Sequence, residues 1–218
     1  MDLPAPLDLL PPLLEGLRVT LRLTLGGALV GVVAALLAGF GQLSKHAPLR
    51  WLSRGYVELF RGTSVLVQLF WLYFALPRFG LHISALSAGI FALGLNAGSY
   101  GAEVVRGAVL GVPRGQRDAA TALGFSPWQI RWRIVFPQAA RAMLPPAGNL
   151  VIELLKSSAL ASMITLSELT FQGQILRAST LRTVEIFGLV LLLYFAVAQL
   201  VSYGVRRLER SLEPGKAA

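Results

Sequence analysis

The sequence predicts an all-α integral membrane protein with five transmembrane helices, its N-terminus outside and its C-terminus inside. Two features of the composition support this prediction, since 55% of the 218 residues are hydrophobic and only 14% are charged. A soluble domain of this length has too little interior to hide that much apolar surface. A third feature is that the basic residues cluster between apolar runs, which is the pattern of membrane topology.

The five spans are predicted from apolar windows close to the 20 residues that a transmembrane helix needs. Four of the five windows are nearly free of charge. The remaining window, which is fourth in chain order, contains Glu153 and Lys156. That window is still expected to cross, because a polar residue is tolerated where it faces a bundle interior or a water-filled cavity. A single transmembrane domain, 1–218, therefore has predicted spans at about 17–43, 57–77, 80–108, 143–166 and 185–206.

Glycines recur in the first and third predicted spans, and small residues let two membrane helices approach closely. Ordinary enrichment of glycine in membrane helices explains any single one of them equally well. The glycines concerned are Gly26, Gly27, Gly31, Gly39, Gly89, Gly94, Gly98 and Gly101.

The orientation follows from lysine and arginine, because short loops rich in them stay in the cytoplasm. On one side of the predicted spans lie Lys45, Arg50, Arg54, Arg106, Arg114, Arg117, Arg131, Arg133, Arg141, Arg206, Arg207, Arg210 and Lys216. On the other side lie only Arg78, Arg177 and Arg182. The segment at about 113–137 is therefore predicted to be cytoplasmic, and a loop at about 167–184 is predicted to face outwards.

Other features restrict the possibilities further. The chain has no cysteine, which excludes disulfides and thiolate metal sites, and its two histidines lie far apart in sequence. The first residues lack the basic start and the small-residue cleavage site of a cleaved signal peptide, so the N-terminus is expected to be retained.

The cytoplasmic segment predicts two short helices joined by a tight turn. The first covers Gln116 to Leu123 and ends at Gly124, a residue suited to the left-handed position after a helix. The second begins at Ser126 as N-cap, with Pro127 in its first turn and Gln129 closing a capping box. Its expected end is near Phe136, and Trp128 and Trp132 share one of its faces. The tryptophan-bearing helix is expected to anchor at the membrane interface, whereas the alanine-rich first helix suits close contact with another protein.

The spacing of this segment resembles a known signature. Asp118, Ala119 and Ala120, three residues, Gly124, nine residues, Ile134, one residue, Phe136 and Pro137 resemble the Glu-Ala-Ala, x3, Gly, x9, Ile, x, Leu, Pro pattern of ATP-binding-cassette importer permeases. Asp replaces Glu and Phe replaces Leu, and both replacements keep the chemical character. Further stretches, at 13–24, 58–77, 103–129 and 144–162, resemble the permeases for polar amino acids, including the histidine, glutamine and arginine importers.

This resemblance implies a type I importer permease fold in a bacterial cytoplasmic (inner) membrane, where a multi-pass chain carries a polar or cationic amino acid by alternating access. It implies a second permease subunit, either a copy or a paralogue, an ATPase dimer that binds ATP and Mg²⁺, and an extracytoplasmic solute-binding protein. By position, the helix that couples to the ATPase would use Asp118, Ala119, Ala120 and Gly124. The chain itself has no GxxxxGK[ST] phosphate loop, so it is expected to be a transport subunit without an ATPase site or a bound cofactor.

Two groups of charges near the membrane are candidate functional residues. Glu58 with Arg61, and Glu103 with Arg106, repeat the pattern Glu-x-x-Arg-Gly. Ion pairing within each helix explains this repeat, and so does a four-charge network at an inward-facing gate.

The second group is predicted to contact the substrate. Asn149, Glu153, Lys156 and Ser157 lie at helical spacing on one face. Glu153 and Lys156 either neutralise each other or bind a zwitterion near the bilayer midplane. In the second case, Lys156 approaches a carboxylate and Glu153 an ammonium or basic side chain. Lys156 belongs to a stretch that resembles the family, so it is also open to a structural role, whereas Glu153 is less typical and is expected to tune selectivity towards cationic substrates.

Rival functions are less well supported. No HExxH or GxSxG motif or carboxylate cluster indicates a membrane enzyme. The alternation of charge across the spans argues against a nucleic-acid binder. Importers of another small polar solute and, with less support, a passive channel remain as alternatives, and a channel has no need of a helix that docks an ATPase.

Overall fold

The computed structural model describes residues 9–212, and every element within that range is helical. The first helix, α1, covers Leu10–Gln42. It begins earlier than the predicted span at 17–43 because prolines are tolerated in a first helical turn, where the backbone N–H has no partner within the helix. With 33 residues it is about 50 Å long, enough to cross a bilayer.

The second predicted span, at 57–77, is wrong as a single helix. The chain instead forms α2 at Ala47–Arg61 and α3 at Val65–Phe70, and α3 continues through a π-helical turn at Trp71–Ala75 and a 3₁₀ turn at Leu76–Phe79. The two parts meet at an angle of 101°. Ser64 is extended there, and the side chain of Thr63 hydrogen-bonds the carbonyl of Leu59 at 2.7 Å. The carbonyls at the end of α2 thus find side-chain partners, and the helix stops.

The fourth helix, α4 at Ala85–Leu110, packs along α1. Its N-cap is Ser84, whose hydroxyl accepts a hydrogen bond from the Ser87 N–H at 3.1 Å. A Cβ placed on Gly94 would lie 2.8 Å from the carbonyl oxygen of Gly27, and one on Gly98 would lie 2.9 Å from that of Gly31. Gly94 and Gly98 thus allow α4 to approach the backbone of α1 closely, which is the first of the two explanations given for the glycines of these spans.

The segment predicted to be cytoplasmic contains α5 at Arg114–Ala122 and α6 at Pro127–Gln129, followed by a π-helical turn at Ile130–Val135. The expected end of the second helix before Pro137 is wrong, because the chain continues directly into α7, Phe136–Ser157. The proline follows the wide π-helical turn, where the ordinary hydrogen-bond pattern that proline would break is already altered. A 3₁₀ turn at Ser158–Ile164 completes this long helical stretch.

The predicted outward loop at 167–184 is also largely helical. It contains α8, Leu169–Thr180, which packs on α1 and α9. The last helix, α9, is Thr183–Leu212, longer than the predicted span at 185–206. The expected loop forms a helix because Glu168 caps it, accepting hydrogen bonds from the Thr170 and Phe171 N–H groups at 2.9 and 2.8 Å.

A buried core joins these helices, with Leu23 of α1, Leu69 of α3 and Leu93 of α4 meeting Leu154 of α7. Among the described residues, three helical stretches are long and apolar enough to cross a membrane, namely Leu10–Gln42, Pro127–Ile164 and Thr183–Ser211. The bent pair α2 and α3 meets that requirement only when its two parts are taken together. The five spans and their orientation remain a prediction.

Candidate functional site

One face of α7 carries the four residues predicted to contact substrate. Asn149, Glu153 and Lys156 are exposed, and Ser157 is half-buried. No ion pair joins Glu153 to Lys156 within residues 9–212, so mutual neutralisation is not what the structure shows. Exposed Asn, Glu and Lys side chains on so apolar a helix are expected to face another protein surface or a water-filled cavity, because charged groups that face lipid are unfavourable.

A small cavity opens beside this face, between α7 and α4. Its volume is about 20 Å³, which is room for about one water molecule. Glu153 and Ser157 line it from α7, and Asn96 and Tyr100 line it from α4. Asn149 and Lys156 do not line it. The structure thus brings two of the four predicted residues to a shared cavity and leaves the other two on the open surface.

Asn96 and its partner Gln68 are functional candidates that were not predicted from the sequence. The Asn96 amide donates to the carbonyl of Phe60 at 2.9 Å, and the Gln68 amide donates to the same carbonyl at 3.0 Å and to the Thr63 hydroxyl at 2.8 Å. Two amides in otherwise apolar windows were the available signal, since buried polar groups in membrane helices require partners. Together they stabilise the bend between α2 and α3 next to the cavity.

The four charges predicted near a gate are only partly assembled. Arg106 and Glu103 form an ion pair within α4, with Nη2 2.7 Å from Oε2, as pairing at i,i+3 predicts. The Arg61 guanidinium lies 5.1 Å from the centre of the Tyr100 ring, a cation–π contact. Glu58 takes part in no ion pair among the described residues. The structure therefore brings Arg61 onto α4 without forming the four-charge network.

The helices α5 and α6 have the predicted local signals. Gly124 has a φ of +78°, and the Phe125 N–H reaches the carbonyl of Ala120 at 3.0 Å, which is the predicted left-handed end of α5. The capping box is also confirmed, since Ser126 accepts from the Gln129 N–H at 3.3 Å and donates its own N–H to the Gln129 side chain at 2.8 Å.

Of the four residues expected to couple to an ATPase, three lie on the surface. Asp118, Ala119 and Gly124 are exposed, and nothing lies within 4 Å of a Cβ placed on Gly124. Ala120 is turned inwards with 3% of its surface exposed, so it packs within the chain and cannot touch a partner directly. The outer face of α5 is thus small and unobstructed.

Aromatic side chains form a row on the second helix. The ring centres of Trp128 and Trp132 are 5.3 Å apart, and those of Trp132 and Phe136 are 5.1 Å apart. Their exposed fractions are 65%, 49% and 38%. The predicted shared face of the two tryptophans is confirmed, and it provides an apolar surface of the kind that lies at a membrane interface.

A buried carboxylate near the opposite end of the molecule was also missed. Glu168 is fully buried, and its Oε2 accepts hydrogen bonds from the Tyr194 hydroxyl at 2.8 Å and from the Thr20 hydroxyl at 3.4 Å. Burial raises the pKa of Glu168, and the hydrogen bonds from Thr170, Tyr194 and Phe171 act in the opposite direction. The available signal was an acidic residue directly before a helix-forming stretch, the pattern of an N-cap.

Known transport proteins resemble this chain in sequence. Residues 27–213 match the family described as binding-protein-dependent transport system inner membrane component. A probable amino-acid ABC transporter permease protein of Sinorhizobium fredii is 45% identical over 94% of this chain and 89% of its own length. The glutamine transport system permease protein GlnP of Escherichia coli is 38% identical over 94% of each chain.

Solved structures agree with these relatives. An amino acid ABC transporter crystallised with histidines has a chain that is 34% identical, with a TM-score of 0.88 over 94% of this chain and 96% of that chain. A chain of the MetNI methionine ABC transporter in an inward-facing conformation is 25% identical, with a TM-score of 0.76 over 93% of this chain and 96% of that one. The similarity in sequence and in fold extends over nearly the whole chain.

Proposed function

This chain belongs to the family of binding-protein-dependent transport system inner membrane components, and from that premise we propose that it forms the translocation pathway of an ATP-driven importer of polar or cationic amino acids. The observation that carries the proposal is the match to amino-acid permeases along almost the full length of the chain. A short shared motif would support only the coupling to an ATPase. A match along almost the full chain also includes the helices that would line the translocation pathway.

The exposed polar face of α7 supports an amino-acid substrate. A zwitterion has one charge of each sign, and Lys156 and Glu153 lie unpaired on that face among the described residues. Lys156 would attract the carboxylate, and Glu153 would attract the ammonium or a basic side chain. Asn96 and Tyr100 are added to this proposed site because they share the cavity with Glu153.

A second permease subunit is part of the proposal. The cavity of about 20 Å³ is too small for an amino acid, so the substrate would lie between the α7 face and an opposing surface. A copy of this chain or a paralogue would supply that surface. It would also remove the charged face from lipid, which is a general requirement for ionised side chains in membranes.

The remaining partners follow from the cytoplasmic and outward ends of the fold. An ATPase dimer that holds ATP and Mg²⁺ would dock on the outer face of α5, where Asp118, Ala119 and Gly124 are exposed. A solute-binding protein would deliver the amino acid at the α8 end. The proposed setting is a bacterial inner membrane, with five spans, the N-terminus outside and the C-terminus inside.

Reconstitution tests this proposal. The chain would be co-expressed with a candidate ATPase and its solute-binding protein, placed in liposomes, and assayed with radiolabelled arginine, histidine and glutamine, with a neutral sugar as the control solute. We expect a stable complex whose ATP turnover rises with loaded binding protein and which accumulates at least one amino acid but not the sugar. Uptake that does not depend on ATP would instead indicate a passive channel, and uptake of the sugar alone would indicate an importer of another solute.

A further inference from the structure

Two polar side chains outside the coupling motif fasten α5 to other helices. The Arg117 Nη2 donates a hydrogen bond of 2.6 Å to the carbonyl of Val109, in the last turn of α4. The Gln138 amide, near the start of α7, donates one of 2.5 Å to the Gln116 side chain. Neighbouring positions on a helix point about 100° apart, so Gln116 and Arg117 reach different helices from adjacent positions.

The contact with Val109 has a clear physical reason. The last carbonyls of a helix have no partner within it, and the residue four positions after Val109 is Pro113, which has no N–H to donate. The guanidinium of Arg117 supplies the missing donor. A cation at a helix C-terminus also interacts favourably with the helix dipole, and a hydrogen bond from a charged donor is stronger than a neutral one.

The inner side of α5 is buried within the protein. Ala120 is 3% exposed, and Val112 and Val135, on either side of it in sequence, are 6% and 7% exposed. The outer side, with Asp118 and Ala119, is open. One helix of nine residues therefore has a free face for a partner and an opposite side attached to the membrane-spanning helices.

We propose that Arg117 is a positioning residue that transmits motion of α5 to α4, and that Gln116 does the same for α7 through Gln138. This inference rests on the proposed function, because it assumes that an ATPase moves α5. Arg117 touches neither substrate nor ATP. It acts by making the cytoplasmic end of α4 follow α5, so that displacement of α5 changes the helices beside the proposed substrate site.

Spin labels can test the link in the permease alone. The chain has no cysteine, so Leu110→Cys on α4 and Ala122→Cys on α5, both at exposed positions, would be the only labelled sites in lipid nanodiscs. Arg117→Met keeps the unbranched stem while removing the donor, and Arg117→Lys keeps one donor. We expect a narrow distance distribution in the parent and Arg117→Lys proteins and a broad one in Arg117→Met. An equally narrow distribution in Arg117→Met would overturn the link.

The amount of amino acid taken up per ATP hydrolysed then tests the role of Arg117 in transmission. In liposomes containing the complete importer, Arg117→Met is expected to lower amino-acid uptake per ATP hydrolysed by about tenfold, the effect of losing one charged hydrogen bond. Arg117→Lys should restore much of this ratio. Gln116→Leu should lower the ratio separately through α7. The matched control is Arg54→Met, which removes an exposed cytoplasmic arginine on α2 and should leave the ratio unchanged.

The outcomes separate this inference from the proposed function. If the parent protein binds no ATPase, the proposed function is wrong, while the distance measurement still decides whether Arg117 holds α5. If the parent protein transports and Arg117→Met keeps the parent ratio of uptake to ATP, Arg117 has no part in transmission. A uniform loss of membrane insertion in Arg117→Met and Arg117→Lys would show that the residue serves folding instead.

Discussion

The hydroxyl of Tyr194 on α9 donates a hydrogen bond of 2.8 Å to the carboxylate of Glu168, which is fully buried at the start of α8. The same hydroxyl lies 3.1 Å from that of Thr170, and the Thr20 hydroxyl of α1 accepts the N–H of Leu169 at 3.1 Å. One carboxylate thus connects three helices that are far apart in sequence. Because α8 contributes few buried residues of its own, its position depends on this cluster.

Removing the carboxylate is therefore expected to destabilise the protein. Glu168→Ala should lower the free energy of unfolding by about 3 kcal/mol, because it leaves two N–H groups and two hydroxyls without their acceptor. Tyr194→Phe should lower it by about 1–2 kcal/mol through the loss of one hydrogen bond to a charged group. Thermal unfolding in detergent measures both, and an unchanged midpoint in Glu168→Ala would show that α8 is held by packing alone.

The protonation of Glu168 predicts a dependence of stability on pH. Burial raises its pKa above the ordinary value of 4.5, so the folded protein binds this proton more tightly than the unfolded chain does. The stabilising contribution is then fully present below the ordinary pKa and is lost as the pH rises through the raised pKa. The difference in unfolding temperature between the parent protein and Glu168→Gln should change over that window, and a constant difference would contradict the raised pKa.

The close contact between α1 and α4 predicts that Gly94 does not tolerate a larger side chain. A methyl group on Gly94 would meet the carbonyl oxygen of Gly27 at 2.8 Å, and a backbone atom cannot rotate away. We expect Gly94→Ala to cost about 1–3 kcal/mol, as overpacking does elsewhere. Gly107→Ala on the same helix is the matched control, since nothing lies within 4 Å of its added Cβ, and helix propensity should make it neutral or slightly stabilising.

The proposed docking of an ATPase on α5 predicts a loss of transport without a loss of folding. Ala119→Trp enlarges an exposed position, and Gly124→Asp adds a charged side chain at a φ of +78°. Both variants should insert normally, bind the ATPase more weakly and lower uptake by about tenfold or more, in line with the removal of a central interface contact. Affinity purification with the ATPase provides the measurement, and parent-level transport in both variants would exclude this surface as the docking site.

The proposed substrate site predicts a change in selectivity. Glu153→Gln removes a negative charge and keeps the size of the side chain, so the KM for arginine should rise about tenfold while that for glutamine changes less. Glu15→Gln makes the same change at an exposed position on α1 outside the proposed site, and provides the comparison. Unchanged kinetics of Glu153→Gln for arginine, histidine and glutamine alike would show that Glu153 does not contact the substrate.

The sequence by itself determined the helical, membrane-spanning character of the chain and the caps of α5 and α6. The caps were predictable because their hydrogen bonds join residues only a few positions apart, as in Ser126 with Gln129. The contact of α1 with α4 was also predictable in kind, because glycine allows close approach wherever two helices meet.

Tertiary structure alone decided the bend after α2, the helix within the predicted outward loop, and the partners of Asn96, Arg117 and Glu168. Asn96 reaches a carbonyl 36 positions away, and Thr20 reaches Glu168 across 148 positions. A local pattern shows that such a polar residue needs a partner, but only the packing of helices determines which one comes within hydrogen-bond distance. The same holds for the polar face of α7, whose charges face outwards because no other helix within residues 9–212 covers them.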